Sequence, residues 1–245
     1  LRTIVAMPVY RAAHYWDQVA SFLYRLDPQP DLWLFAENNS PDDTLRRLQR
    51  FHRPKEILQP KFTREELANA KAYDIIGKVR QMLLDRAREL NPDYLLFLDS
   101  DIRVFSTHLL WDMTLRGKDI LGGPYARPFP QGLFLAALWS SSGPKGFELH
   151  RRATRPMERV AAVGGGCMLL SQRLIQDRRV NFIPVPENSS EDYGFCLTAA
   201  KYGYESWLDG TIGLLHWVTS HHIKGKAWQV DEQLRPMPFP YATGK

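Results

Sequence analysis

Apolar residues recur along the chain in two alternating rhythms. Thr3–Val9 is a mostly apolar run that leads into Tyr10-Arg11, and it reads as a buried strand with its exit loop. Tyr15–Leu26 then carries Val19, Phe22, Leu23 and Leu26 at helical spacing. Asp31–Glu37 reads as a second strand, Asn38 to Asp42 as a turn with a cap, and Asp42–Phe51 as a helix. Lys55–Leu58 predicts a short third strand. Glu65–Leu90 predicts a long helical stretch with a break near Gly77, ended by Asn91-Pro92. Tyr94–Leu98 follows as five apolar residues without polar alternation, the mark of a strand buried on both faces of a parallel sheet. Strands alternating with helices at this spacing predict βαβ units, hence an α/β fold with a mostly parallel, doubly wound sheet.

The second half changes character. Phe105–Arg116 predicts a helix and Asp119–Gly122 a short strand. From Gly123 to Val160 the chain is rich in Pro, Gly, Ser and Arg, which predicts loops and short antiparallel strands such as Leu133–Trp139. Val160–Leu170 is apolar around Gly164-Gly165-Gly166. Ser171–Arg178 and Glu191–Tyr202 have helical patterns, and Glu205–Leu208 and Ile212–His216 read as final strands. The last dozen residues, with Pro236, Pro238 and Pro240, read as an extended tail. The expected result is a smaller antiparallel portion beside the parallel sheet.

Composition narrows the function classes. With 245 residues, 44% hydrophobic and 24% charged, the chain is long enough for one α/β domain or two small ones. A formal charge of +5 favours anionic partners such as nucleotides, phosphorylated acceptors or an acidic membrane surface. The basic residues are scattered without a Lys/Arg block, which argues against nucleic acid. Two cysteines, Cys167 and Cys196, make no disulfide framework and fit a reducing compartment. No run approaches the roughly 18 apolar residues of a membrane span. The expected location is the cytoplasm, where the basic charge would suit a membrane surface.

Candidate chemistry gathers at predicted strand ends. Asp99 and Asp101 sit just past an apolar strand, the edge at which parallel sheets bind ligands. Two hard oxygen donors there can hold Mg2+ or Mn2+, and a metal so held also takes substrate phosphates. The same Asp-Ser-Asp is equally an ordinary turn. Glu37 ends the second strand, where a carboxylate can accept from a base N–H or a ribose hydroxyl, or simply join a helix cap. Gly164-Gly165-Gly166 allows either a tight bend or close approach of backbone to a ligand. Glu191-Asp192 opens a helix, where acids are favoured by the dipole and where one could serve as a general base. His216 ends an apolar run and is a workable Mn2+ ligand, with His221 and His222 competing for that role.

In order, this series resembles the GT-A glycosyltransferases, above all the large family 2 of processive and single-transfer enzymes, over Thr3 to His216. The resemblance implies that Pro8, Val9 and Tyr10 line the nucleotide base and that Glu37, where Asp is commoner, recognises the base or ribose. Gly77 to Arg80 with Leu83, Leu84 and Ala87 is similar to the family's Gly…Ala-Arg-Asn segment, with Gln81 in place of Asn. Arg80 is then implied to point at the nucleotide phosphates. Asp99 and Ser100 belong to the donor side, with Asp99 on the ribose or a metal-bound water, and Asp101 binds the metal. The cation would neutralise charge building on the leaving diphosphate. Gly165, Gly166 and Glu191 would border sugar and acceptor, Asp192 would be the general base, and His216 would complete the metal shell. Asp99-Ser100-Asp101-Ile102 with Gly117-Lys118-Asp119-Ile120 is also similar to the fungal mannan polymerase type of mannosyltransferase.

The resemblance implies one catalytic domain over 1–220. Residues 1–101 would form its nucleotide-binding half, 102–220 its acceptor half, and 221–245 a C-terminal tail. It further implies a metal-dependent hexosyl transfer, with inversion, from a UDP- or GDP-linked sugar to a hydroxyl on a glycan, a lipid phosphate or a small molecule. Three alternatives stand beside it. A phosphatase of the haloacid-dehalogenase kind also ends a buried strand in Asp-x-Asp. A nucleotidyltransferase shares such a sheet. A non-catalytic carbohydrate-binding protein could use Trp111, Trp139, Trp207, Trp217 and Trp228 for stacking on sugar rings.

Overall fold

The computed structural model describes residues 1–63, 66, 72–104, 106–129, 132–140, 147–150, 153, 155–184, 189–212 and 214–216. His221, His222, Trp217, Trp228 and the predicted tail therefore lie outside the described residues. The first half runs β1 (Thr3–Val9), α1 (Trp16–Leu23), β2 (Leu32–Glu37), α2 (Thr44–Gln49), β3 (Lys55–Leu58), α3 (Ala72–Leu90) and β4 (Tyr94–Leu98). The second half adds β5 (Ile102–Val104), α4 (Leu109–Thr114), β6 (Ile120–Gly122), β7 (Ala126–Phe129), β8 (Gly132–Leu135), β9 (Ala137–Ser140) and β10 (Phe147–Glu148). It continues with β11 (Met157–Val160), β12 (Ala162–Val163), β13 (Cys167–Ser171), α5 (Gln172–Ile175), α6 (Glu191–Lys201), β14 (Ser206–Asp209) and β15 (Leu214–His216).

One eight-stranded sheet, in the order β11-β14-β6-β13-β4-β1-β2-β3, spans both halves. β3, β2, β1 and β4 are parallel neighbours, and β6 pairs parallel with β14. β13 lies antiparallel between β4 and β6, and β11 closes one edge antiparallel to β14. A smaller antiparallel sheet, β10-β9-β12, stands beside it. This is the mixed α/β architecture, mostly parallel with a small antiparallel portion, that the apolar rhythm predicts.

The apolar runs are continuous because the sheet is covered on both faces. Successive side chains on a strand point to opposite sides. Ile4 and Ala6, with Leu34, Ala36, Leu95 and Phe97, pack under Val79, Leu83, Leu84 and Ala87 of α3. Val5 and Met7, with Trp33, Phe35, Leu96 and Leu98, face Trp16, Val19, Leu23 and Leu48 of α1 and α2. Trp16, Trp33, Phe35 and Phe51 meet there edge-to-face or stacked at centroid distances of 5.5–6.2 Å.

Three local expectations differ from the structure. α3 runs through Gly77 without a break, because the helix is held by burial of Val79, Leu83 and Leu84 on the sheet. The stretch from 65 to 71 lies outside the described residues, Glu66 excepted. The expected strand Leu133–Trp139 is two strands meeting at Ala136, where the chain changes partners from β7 to β12. Ala136 there accepts from Gly164 N at 2.6 Å and donates to Tyr125 O at 3.0 Å. Where the helix Phe105–Arg116 was expected, the chain forms α4 only from Leu109, after a strand β5 that pairs with β15 more than a hundred residues later.

The topology brings the glycine segment to the ligand edge. Because β13 is antiparallel to β4, Cys167 pairs with Leu98 and the residues before it sit at the carboxyl end of β4. Asp99 N donates to Gly166 O there at 2.9 Å. Val9 pairs with Glu37, so the exits of β1 and β2 share the same edge.

Candidate active site

Arg80 is the centre of this edge. It is 2% exposed, and its guanidinium reaches three other segments. Nη2 donates to both oxygens of Asp99 at 2.8 and 2.9 Å, Nη1 to Gly165 O at 3.0 Å, and Nε to Glu191 Oε1 at 3.2 Å. Its Cζ also lies 5.7 Å from the Phe97 ring centroid. Burial alone would lower its pKa. Asp99, Glu191 and Asp192 more than offset this and hold it above the ordinary arginine value. One planar fork thus joins α3, the end of β4, the glycine segment and the start of α6.

This explains the three glycines. A Cβ on Gly165 would stand 2.7 Å from Arg80 Cζ. One on Gly166 would meet Tyr125 Cζ at 2.7 Å, and one on Gly164 would meet Tyr125 Oη at 2.4 Å. The space beside Gly165 and Gly166, which the resemblance assigns to sugar and acceptor, is occupied at these positions by the chain's own Arg80 and Tyr125. Tyr125 Oη accepts from Gly166 N at 3.0 Å. No motif in the sequence marks Tyr125, since its contact spans 41 residues.

The two acids of α6 have different surroundings. Asp192 accepts from Gly165 N at 2.8 Å through Oδ2, and from Tyr193 N at 2.8 Å and the Ser190 hydroxyl through Oδ1. Ser190 is the N-cap residue, yet its side chain caps no backbone N–H; it turns to the carboxylate instead. A carboxylate offers about four acceptor positions. Three are taken, which leaves about one on Oδ2. Glu191 Oε1 is held by Arg80, whereas Oε2 is buried with no partner.

Burial first, and then the charge of Asp192, pushes the Glu191 carboxyl up to about 7, with Arg80 pulling the other way. A raised folded pKa favours the protonated native state. The stabilising contribution is therefore complete below the ordinary glutamate range near 4.5 and is lost as pH rises through about 7. Between pH 5 and 8 the wild-type protein should lose on the order of 1–3 kcal/mol that Glu191→Gln does not lose, read from unfolding curves at each pH. Parallel pH profiles for the two proteins would overturn the assignment.

The donor-side residues are laced together. Glu37 is 2% exposed and its Oε1 accepts from Ser40 N at 2.7 Å, closing the turn after β2. Ser40 Oγ accepts from Arg11 N at 2.9 Å, and Thr44 Oγ1 from Ala12 N at 2.8 Å. Arg11 and Asn39, both non-glycine, hold φ of 51° and 48° in these two loops. Such left-handed conformations persist where surrounding bonds over-determine them and cluster at functional sites. Pro8 and Val9 are buried in the sheet, while Tyr10 is 49% exposed with the Arg11 guanidinium 5.2 Å from its ring. Of the three, Tyr10 offers the free surface.

The Asp-Ser-Asp turn divides its labour. Asp99 turns to Arg80. Ser100 is buried, its Oγ 3.1 Å from Tyr15 Oη, so its side chain faces α1 rather than open solvent. Burial pushes the Tyr15 hydroxyl up to about 12. Asp101 is half-buried and lines a small cleft with Tyr15, Gln18 and Phe22. Backbone pairing of β15 with β5 sets His216 opposite Ile102, next to Asp101; its side chain lies outside the described residues. Among the described residues no group of three or more His, Cys, Asp or Glu converges to hold a metal. Trp139 is buried, stacked at 4.3 Å on His150, with Nε1 donating to Glu158 at 2.8 Å; Trp111 is 53% exposed.

No known family description and no curated protein matches the sequence. Solved structures do. TarS of S. aureus superposes with a TM-score of 0.59 at 17% identity over 89% of this chain and 37% of TarS. S. aureus TarS 1-349 in complex with UDP-GlcNAc gives 0.55 at 18% identity over 89% and 57% of the two chains, and the same fragment is known with UDP. A197 from STIV gives 0.50 at 16% identity over 89% and 87%. This chain thus spans little more than a third of the full TarS chain. At such identities the likeness concerns architecture alone: the chain has a GT-A-like fold.

Proposed function

We propose that the chain is a glycosyltransferase that moves a sugar from a nucleoside-diphosphate sugar to a hydroxyl acceptor. The reading rests on one observation: Arg80 ties Asp99, at the donor edge of the sheet, to Glu191 and, through Gly165, to Asp192. A donor-side carboxylate and a base-bearing helix are thereby held in fixed register, as a displacement between two bound substrates requires. UDP is favoured over GDP because TarS 1-349, which shares the fold, is known with UDP and UDP-GlcNAc.

In this reading Tyr10 and the turn closed by Glu37 seat the base and ribose. Asp192 Oδ2 takes the acceptor proton as the hydroxyl attacks the anomeric carbon, giving a single displacement with inversion. The donors from Gly165, Tyr193 and Ser190 fix the carboxylate's rotamer for that transfer. Arg80 acts on Asp99 and Glu191 rather than on phosphate, since four of its five N–H donors are engaged and the side chain is buried. Asp101 fits a cation that takes one protein oxygen and its remaining ligands from substrate phosphates and water, as Mg2+ commonly does, and Mn2+ would be similar. When bound, that cation would neutralise charge on the leaving diphosphate. His216 remains a candidate further ligand on its position beside Ile102. The acceptor would be a glycan, a lipid phosphate or a small molecule, and no helix among the described residues is long and apolar enough to cross a membrane.

The phosphatase alternative is weaker because it needs Asp99 as a free nucleophile, whereas both its oxygens accept from Arg80.

The test is thermal unfolding with UDP, GDP, CDP, ADP and dTDP, each with Mn2+, Mg2+ or EDTA. A ligand that binds only the native state at about a hundredfold excess over Kd adds about 2.7 kcal/mol. UDP with a divalent cation should raise Tm by several degrees and EDTA should remove the rise. No shift with any diphosphate would end the transferase reading.

A further inference from the structure

The glycines of the 164–166 segment each donate their N–H to a different place. Gly164 N donates to Ala136 O at 2.6 Å, Gly165 N to Asp192 Oδ2 at 2.8 Å and Gly166 N to Tyr125 Oη at 3.0 Å. The middle donor is the one that touches the base. The outer two end on the foot of a single hairpin. Tyr125 and Ala136 lie just outside the Ala126–Leu135 pair of β7 and β8, and Ala136 N donates to Tyr125 O at 3.0 Å.

Glycine restrains its own backbone less than any other residue. Three in a row keep one arrangement only where outside partners hold it. A peptide unit is planar, so Gly165 O and Gly166 N–H belong to one rigid plate. The oxygen end accepts from Arg80 Nη1 at 3.0 Å, and the N–H end donates to Tyr125 Oη. Held at both ends, the plate cannot swing. Without the hydroxyl it is held at the oxygen alone. A swing there turns the bonds of Gly165, whose own N–H is the donor to Asp192. Tyr125 is 5% exposed, so bulk water does not replace its hydroxyl as the acceptor.

We propose that Tyr125 is a positioning residue for Asp192: through Gly166 N–H its hydroxyl fixes the glycine backbone, and Gly165 N–H then fixes the carboxylate. The inference rests on the reading of Asp192 as the base. The action is indirect, since Tyr125 orients the peptide and the peptide orients the carboxylate. It also gives the hairpin, on the acceptor half, a direct hold on the base.

The test is amide hydrogen exchange of the full chain, followed by NMR, in wild type and Tyr125→Phe. Phenylalanine keeps the ring and removes only the acceptor. Gly166 should exchange about tenfold faster or more, as expected for one lost hydrogen bond. Gly165 should speed up by a similar factor, beyond any change at Leu96 in the sheet core, which reports overall stability. Faster exchange at Gly166 alone would overturn the proposal, because the hydroxyl would then satisfy one donor and position nothing. If Tyr125→Phe does not fold, the wild type carries the test. Its Gly165 and Gly166 amides should share one protection factor, and separate factors would overturn the common plate. Kinetics gives a second readout, with UDP release from UDP-GlcNAc in Mn2+ and water as the acceptor. Tyr125→Phe should lower kcat by about ten- to a hundredfold with KM unchanged, the mark of a misplaced catalytic group. Unchanged kcat in the folded variant would overturn the role. A wild type that neither binds UDP nor releases it would end the transferase reading, and the exchange pattern would still decide whether Tyr125 places Asp192.

Discussion

Replacing Arg80 with alanine should destabilise the protein by about 3–5 kcal/mol, the usual cost of removing one partner from a buried ion pair. Asp99, Glu191 and Asp192 would then lie together at the edge of the sheet without their cation, and Gly165 O would lose its donor. Lysine should not rescue it, because a single ammonium on a flexible stem cannot reach Asp99, Gly165 and Glu191 in one plane. Urea unfolding midpoints for Arg80→Ala and Arg80→Lys check this. A loss under about 1 kcal/mol for alanine would show that the network adds little to stability. Gly165→Ala should act on the same joint from the other side, since its Cβ would stand 2.7 Å from Arg80 Cζ. Overpacking of that kind costs about 1–3 kcal/mol. Because both changes break one contact, the double variant should lose less than the sum of the single losses.

Asp192→Asn should lower turnover by about 10²–10⁴ while leaving UDP affinity nearly unchanged. The carboxylate contacts Gly165 of the glycine segment, Tyr193 of α6 and Ser190, the N-cap of α6, and its hydrogen bonds reach none of the donor-side residues. Asparagine also carries a structural cost that separates it from a neutral swap. Oδ2 faces Gly165 N–H and Oδ1 faces Tyr193 N–H, so either amide orientation sets an NH2 group against a backbone donor. That mismatch should cost about 1–3 kcal/mol. Turnover must therefore be measured well below the variant's own Tm. Full activity in a folded Asp192→Asn protein would move the base to another group. Glu191, with a buried unpaired Oε2, would be the next candidate.

The parts of the fold legible in the chain are those in which local pattern and burial agree. β1 occupies the residues that its apolar run predicts, and β4 fills Tyr94–Leu98. Each lies in the sheet core, where a residue facing either way meets a packed helix, so local hydrophobicity alone marks the strand. The edges were less legible. β5, β7 and β11 are three or four residues long and pair with β15, β8 and β14. Strands that short carry little periodicity, and partners supply most of their definition.

The candidate site shows the same division. Chain order places Glu37, Asp99, Asp101 and Glu191-Asp192 at element ends, because an acid after an apolar strand or before a helix is readable from neighbours alone. Their partners are not. Arg80 meets Glu191 across 111 residues and Asp99 across 19, and Tyr125 meets Gly166 across 41. The helical pattern of 72–90 shows that Arg80 lies on a helix, but not that its fork is spent on two carboxylates and a carbonyl. Nor does a run of three glycines tell whether ligand or side chain fills the space beside it; here Arg80 and Tyr125 do. Periodicity along the chain specified the α/β sheet and the edge at which it would bind. Which charges meet at that edge was settled by the antiparallel insertion of β13 beside β4, a long-range pairing that no local sequence pattern encodes.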